Sequence, residues 1–201
     1  MNRYLPLGGA LAAIVLVSLR LPAQAPADAG PPMPYEDLGA CPFEGCVYRQ
    51  WTANRVVAIR VERRTGARVA FRLKKGEKVT AVNGMVVTTR PGRVEFGQPQ
   101  DIETADGRIR VAPGQTLYLL TYEGEGYTKA WFNGRLYRSV DTQHFYNGVC
   151  DFNPGRCTGK IVEKGQVEWW VQIRNATGRV GWTDEPEAFE GKNAIGGALQ
   201  N

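Results

Sequence analysis

From Arg55 onward the chain consists of short segments in which apolar and polar residues alternate, and Gly or Pro separates nearly every segment from the next. In residues 68–73, for example, Val69, Phe71 and Leu73 point to one side of a strand and the residues between them to the other. Beyond the first 20 residues, no segment sustains the 3.6-residue period of an amphipathic helix. This pattern predicts an all-β protein made of many short strands.

The alternation also gives approximate strand positions. Strands are expected at 56–62, 68–73, 78–89, 93–96, 108–111, 116–122, 127–132, 135–138, 159–163, 167–174 and 179–182. Within 78–89, Asn83-Gly84 is typical of a two-residue hairpin turn, so we expect the chain to reverse there.

The first 27 residues have the three parts of a secretory signal peptide. Arg3 precedes an apolar run of 15 residues that ends at Leu19, and a membrane-spanning helix needs roughly 20. Cleavage after Ala27 is favoured over cleavage after Ala25, because Pro26 would otherwise follow the cut bond. We therefore expect an exported protein, periplasmic or secreted, with no stable membrane span once the signal has been removed.

Four cysteines fit an exported chain with two disulfides: Cys41, Cys46, Cys150 and Cys157. The close spacing within each pair favours two local loops, each worth about 2 kcal/mol in the chain-entropy model. Cross-pairing between the two pairs is the alternative. The spacing does not match a zinc site, and one histidine in the whole chain leaves few metal ligands. No metal or other cofactor is expected.

The charge balance argues against a nucleic-acid partner. The whole chain has 25 basic and 20 acidic side chains, a net charge of +5. The signal peptide carries Arg3 and Arg20 and no acid, which leaves about +3 for the rest. The basic side chains are densest in one stretch: Arg55, Arg60, Arg63, Arg64, Arg68, Arg72, Lys74, Lys75 and Lys78. We interpret them as a solvated strand face, the alternative being a surface for anionic lipid or cell-wall polymers.

Two short motifs resemble the bacterial SH3-like domain family. Residues 73–79 (LKKGEKV) match a strand start of that family, and residues 170–174 with 178–182 (WVQIR and GRVGW) match its hairpin. Residues 126–137 match the hairpin more loosely. The resemblance implies small β-barrels, export and a binding role at the cell envelope.

On this basis the expected organisation is two small SH3-like barrels in tandem after a signal peptide. The signal peptide is 1–27, and a Pro-rich and Cys-loop N-terminal segment follows at 28–54, flexible over its Pro-rich part. The first module, with an insertion, is expected at 55–140. The second Cys loop and the second module are expected at 141–190, and a flexible tail at 191–201.

Four aromatic residues are candidates for ligand binding: Tyr127, Trp131, Trp170 and Trp182. Lys129 shares a strand face with Tyr127 and Trp131, whereas Trp170 lies on the polar side of a strand whose other side is apolar. Exposed aromatics beside polar groups are typical of peptide or glycan grooves. The alternative is that they pack between the modules or complete small cores, since small barrels need large side chains to fill them.

No catalytic arrangement is recognisable. His144 is a lone histidine, and Glu123, Glu125, Asp141 and Asp151 form no marked carboxylate pair. We therefore expect a non-enzymatic binding or scaffolding protein of the bacterial envelope. Its partner would be an envelope protein or the peptide or glycan of peptidoglycan. The alternative is an accessory subunit or inhibitor of an envelope hydrolase.

Overall fold

The computed structural model describes residues 29–150 and 156–194, and in these ranges the chain is all-β, as the alternation predicts. The strands are β1 (Tyr35–Leu38), β2 (Gln50–Ala53), β3 (Val57–Arg60), β4 (Val69–Leu73), β5 (Lys78–Arg90), β6 (Gly92–Glu95), β7 (Gln100–Thr104), β8 (Gly107–Val111), β9 (Thr116–Gly124), β10 (Tyr127–Phe132), β11 (Arg135–Asp141), β12 (Phe145–Tyr146), β13 (Gly159–Glu163), β14 (Gln166–Arg174), β15 (Val180–Thr183) and β16 (Phe189–Glu190). A 3-10 turn at Pro186–Ala188 precedes β16. The predicted signal peptide, residues 1–27, lies outside the described residues.

The first sheet has eight strands in the order β16-β2-β5-β14-β15-β3-β4, with β1 added alongside β5. It curls into a half-barrel around an apolar core. Large side chains of this core that are at most 2% exposed are Trp51, Val57, Ile59, Leu73, Val79, Ile173 and Phe189. Alternating inward positions on several short strands supply these side chains, which is the period-two pattern that predicted the strands.

The second sheet has six strands in the order β11-β10-β9-β6-β13-β12, and β7 and β8 form a separate hairpin. The hairpin contributes Ile102, Ile109 and Val111 to the core of this sheet. Val94, Leu117, Ala130 and Val140 complete the centre of that core and are fully buried. Each sheet therefore has a core of its own.

The expected arrangement of two SH3-like barrels in tandem is not confirmed. The chain leaves the first sheet at the end of β5, forms the whole second sheet, and returns through β14, which pairs with β5 from Gln166–Arg90 to Arg174–Thr80. The second sheet is thus inserted into the first, and the expected boundary at 140/141 falls inside β11. The long β5–β14 pairing is non-local, so the short sequence motifs that suggested two barrels carry no signal for it.

The hairpin expected at Asn83-Gly84 is wrong. Both residues lie in the middle of β5, which runs unbroken from Lys78 to Arg90. A Cβ on Gly84 would lie only 1.9 Å from the Tyr48 hydroxyl and 2.8 Å from Trp169 Nε1. Glycine is needed here for close packing and not for a turn, as is common for a glycine inside a strand.

Both disulfides form local loops, Cys41 with Cys46 and Cys150 with Cys157. The close spacing predicted this pairing, and cross-pairing is excluded. Two disulfides indicate an oxidising environment for the folded protein.

The described part of the predicted flexible tail is attached to the first disulfide loop. Val47 donates its N–H to the carbonyl of Lys192 at 2.9 Å, and Ala194 donates to the carbonyl of Gly45 at 2.7 Å. Residues 195–201 lie outside the described residues. The C-terminal end of the described chain therefore lies against the first disulfide loop.

Candidate functional site

The feature that most affects the predicted binding surface is the N-terminal strap, defined here as residues 29–38. Trp131 donates its indole N–H to the carbonyl of Ala29 at 3.0 Å. Gly30 lies against the ring of Tyr118, from which a Cβ would be 3.6 Å away, and Pro31 is buried. The segment then becomes β1, which pairs with Met85–Thr88 of β5. The Pro-rich segment expected to be flexible is thus held by both sheets.

Two adjacent carboxylates of the strap are held by cations from different parts of the chain. Both oxygens of Asp37 accept from Lys129 Nζ at 2.8 Å, and the two side chains are only 9% and 20% exposed. Glu36 accepts from both Nη atoms of Arg63, at 3.1 and 2.9 Å. Because successive residues of a strand point to opposite faces, one carboxylate reaches β10 and the other the β3–β4 loop.

Two side chains of the strap have shifted pKa values, Tyr35 and Glu36. The hydrogen bond from Arg63 lowers the pKa of Glu36, because it stabilises the carboxylate form. The pKa of Tyr35 is raised, first by burial and then by the nearby charge of Asp37. Glu36 is therefore ionised and Tyr35 neutral at neutral pH.

On β10 the predicted division into two faces is confirmed. Thr128, Ala130 and Phe132 are buried in or beside the second core, and Tyr127, Lys129 and Trp131 are half-buried on the other side. We call Tyr118, Lys129 and Trp131 the β10 face, since Tyr118 is the cross-strand partner of Trp131 on β9. This face is not open: the strap lies on it.

The two remaining candidate aromatics lie on the first sheet. Trp170 is 4% exposed and packs with Met85 and Val87, which matches the packing alternative and leaves almost no surface for a ligand. Trp182 borders the same cluster and has the Arg63 guanidinium 5.7 Å from its ring centroid. Through Arg63, Trp182 is also linked to Glu36 of the strap.

The four candidates therefore do not form one groove. Trp131 contacts the strap directly, Trp182 contacts it through Arg63, Trp170 is packed, and Tyr127 lies at the start of β10. Sequence reasoning missed the strap, which contacts Trp131, because the Pro-rich composition of this segment predicted a flexible chain. The available signal was Tyr35-Glu36-Asp37-Leu38, in which two acids are flanked by residues suited to a strand.

Two pockets open where the sheets meet. One, with a volume of about 490 Å³, lies between the first disulfide loop, Asp37, Lys129 and the end of β9. At its rim the Tyr122 hydroxyl donates to Glu44 at 2.5 Å and lowers the pKa of that carboxyl. A second cleft of about 260 Å³ is more apolar and is bordered by Pro42, Leu119, Ile161 and Val167.

The basic stretch is divided by its ion pairs. Arg55 pairs with Glu185 and Glu187, Arg63 with Glu36, and Arg64 with Glu62. Exposed cations without a carboxylate partner among the described residues lie just before β4, on it and after it: Arg68, Arg72, Lys74, Lys75 and Lys78. The continuous basic face suggested by the sequence is thus partly neutralised.

The remaining polar features are separate from the strap. His144 is exposed, and Asp151 lies outside the described residues. Asn175 accepts hydrogen bonds from the N–H groups of Thr177 and Arg179 and so stabilises the turn between β14 and β15. Within residues 29–150 and 156–194, no three His, Cys, Asp or Glu side chains converge on a potential metal site. No helix in these ranges is long and apolar enough to cross a membrane.

Comparisons with protein-family models, curated proteins and solved structures found no match. The resemblance to the SH3-like family therefore stays a prediction from the motifs.

Proposed function

We propose that the chain is an exported, non-enzymatic binding module of the bacterial envelope that recognises an extended peptide segment of an envelope partner. The observation that supports this is the way the β10 face, β5 and Arg63 together hold the strap. An indole N–H on a backbone carbonyl, a strand pairing and two cations on carboxylates are contacts that recognise a peptide in extended form.

The architecture is compatible with this role. The two disulfides fit the oxidising compartment that a signal peptide at 1–27 would lead to. As part of the proposal, the curled first sheet is an SH3-like barrel that carries the second sheet as an insertion. Lys129 and Trp131 extend from a strand whose other side is buried in a packed core, so the contacting groups have a rigid base.

An array of synthetic peptides tests the proposal. The peptides cover exported proteins of the same cell in overlapping segments, and the labelled full-length chain is the probe. We expect a subset of extended segments to bind. Trp131→Leu should weaken that binding, whereas Tyr146→Leu should not, because Tyr146 lies on β12 at the far edge of the second sheet.

Two results would contradict this function. Retention on glycan strands without any peptide binding would make the partner a polysaccharide. Slowed turnover of a wall hydrolase, again without peptide binding, would favour the hydrolase-inhibitor alternative.

A further inference from the structure

The contacts of the strap specify the chemistry of a ligand. Glu36 and Asp37 are consecutive, and each meets a cation on its own side, Arg63 or Lys129. The backbone between them pairs with β5, whose opposite side is already occupied by β14. A ligand that replaced the strap would therefore need an extended backbone and two adjacent carboxylates.

The strap can be replaced without unfolding either sheet core. It lies at the N-terminal end of the described chain, before the first disulfide at Cys41. Its residues are absent from both large cores, whose members start at Trp51 and Val94. We call the space that the strap fills, between Arg63, Lys129 and Met85–Thr88 of β5, the slot. If the strap left the slot, one side of Met85–Thr88 would become a free sheet edge of the kind that accepts an added strand.

We infer that the slot between Arg63 and Lys129 is a binding site for extended peptides with two adjacent carboxylates, and that the strap occupies it as an intramolecular competitor. This inference rests on the proposed peptide-binding function and adds its ligand class and its regulation. A partner peptide adds to β5 as β1 does, and its two carboxylates take the places of Glu36 and Asp37. The apparent affinity for such a peptide is the intrinsic affinity multiplied by the fraction of molecules in which the strap has left the slot.

A substitution that weakens the strap should raise the affinity of the chain for the peptide, and one that weakens only the contact between slot and peptide should lower it. Glu36→Gln removes a carboxylate from the strap and leaves Arg63 intact. Because this is an exposed pair, worth about 0.2–1 kcal/mol, peptide affinity should rise by about 1.4- to fivefold. Arg63→Met removes the same exposed pair from the strap and from the peptide, so the two losses offset each other in the otherwise wild-type chain. In the Glu36→Gln chain, whose strap no longer uses Arg63, the same substitution should lower peptide affinity by about 1.4- to fivefold. Neither substitution touches a core side chain.

The experiment uses the full chain and a labelled, N-acetylated peptide with the sequence of residues 29–38. A second peptide carries Gln and Asn in place of the two acids. Fluorescence anisotropy should give a higher peptide affinity for Glu36→Gln than for either the wild type or the double variant Glu36→Gln with Arg63→Met. The amide peptide should bind Glu36→Gln at least about tenfold more weakly than the acid peptide. Arg138→Met is the matched control, since Arg138 is exposed on β11 and has no carboxylate partner in the described part of the chain.

The other outcomes are informative as well. Equal binding of the acid and amide peptides would overturn the ligand class. Equal affinity of wild type and Glu36→Gln would overturn the competition by the strap. A concentration-dependent dimer of Glu36→Gln without peptide binding would make a second copy of the chain the occupant. If this peptide fails while other array peptides bind, the inference is wrong and the proposed function stands. If no peptide binds in either experiment, both the inference and the proposed function are wrong.

Discussion

The ion pair between Asp37 and Lys129 gives the sharpest prediction for how the strap is held. Lys129→Met keeps the aliphatic part of the side chain and removes its charge, so Asp37 stays nearly buried without a cation. Breaking a fully buried ion pair on one side costs roughly 3–5 kcal/mol. Since Asp37 is 9% and Lys129 20% exposed, we expect the free energy of unfolding to fall by about 2–4 kcal/mol.

Urea denaturation followed by tryptophan fluorescence measures this loss. The double variant Asp37→Asn with Lys129→Met removes both charges, and should be more stable than the sum of the single effects by at least about 1.5 kcal/mol. Arg108→Met is the control: its partner is Glu103, and the two side chains are 71% and 56% exposed. That substitution should change stability by no more than about 0.5 kcal/mol.

A loss below about 1 kcal/mol for Lys129→Met would refute the reasoning, because losses of that size belong to exposed ion pairs. Additive single effects would refute it equally, since they would mean that Asp37 and Lys129 do not interact in the folded protein.

Three further predictions concern packing and pH. Gly84→Ala should cost about 3–5 kcal/mol in urea unfolding, because the added methyl collides with Tyr48 and breaks its hydrogen bonds to Ala40 and Trp169; an unchanged midpoint would contradict this. Trp170→Ala should lower the free energy of unfolding by about 3–5 kcal/mol, whereas a stable variant with altered ligand binding would restore Trp170 as a surface residue. Because Arg63 lowers the pKa of Glu36 from 4.5, the pair stabilises the fold above that pH and the contribution is lost as the pH falls below it. Glu36→Gln should flatten this part of the stability profile, and a profile identical to wild type would contradict the assignment.

The sequence predicted local structure well because strand alternation is a local property. The two faces of β10 are as expected, with Ala130 in the second core, and Val171 and Ile173 of β14 lie in the first core as expected, although Trp170 on the polar side of β14 is buried too. The two close cysteine pairs form the disulfides. In each case the residues concerned are neighbours along the chain.

Long-range pairing had no comparable signal. Asn83-Gly84 has the composition of a turn, but the pairing of β5 with β14 and the contact with Tyr48 determine its conformation. Composition likewise suggested that the strap is flexible. In the structure Asp37 forms an ion pair with Lys129, and the carbonyl of Ala29 accepts a hydrogen bond from Trp131. These contacts join segments 92 and 102 residues apart, which periodicity cannot detect.

The most direct test of the account is the indole resonance of Trp131 in a ¹⁵N-labelled Glu36→Gln chain titrated with the residue 29–38 peptide. The chain has five tryptophans, and a Trp131→Phe variant assigns this signal. We predict that the Trp131 signal shifts in a saturable way as the peptide replaces the strap, while Trp51, which is 1% exposed in the first core, stays unchanged. Saturable peptide binding that leaves the Trp131 signal unmoved would contradict the account, because the ligand would then lie elsewhere.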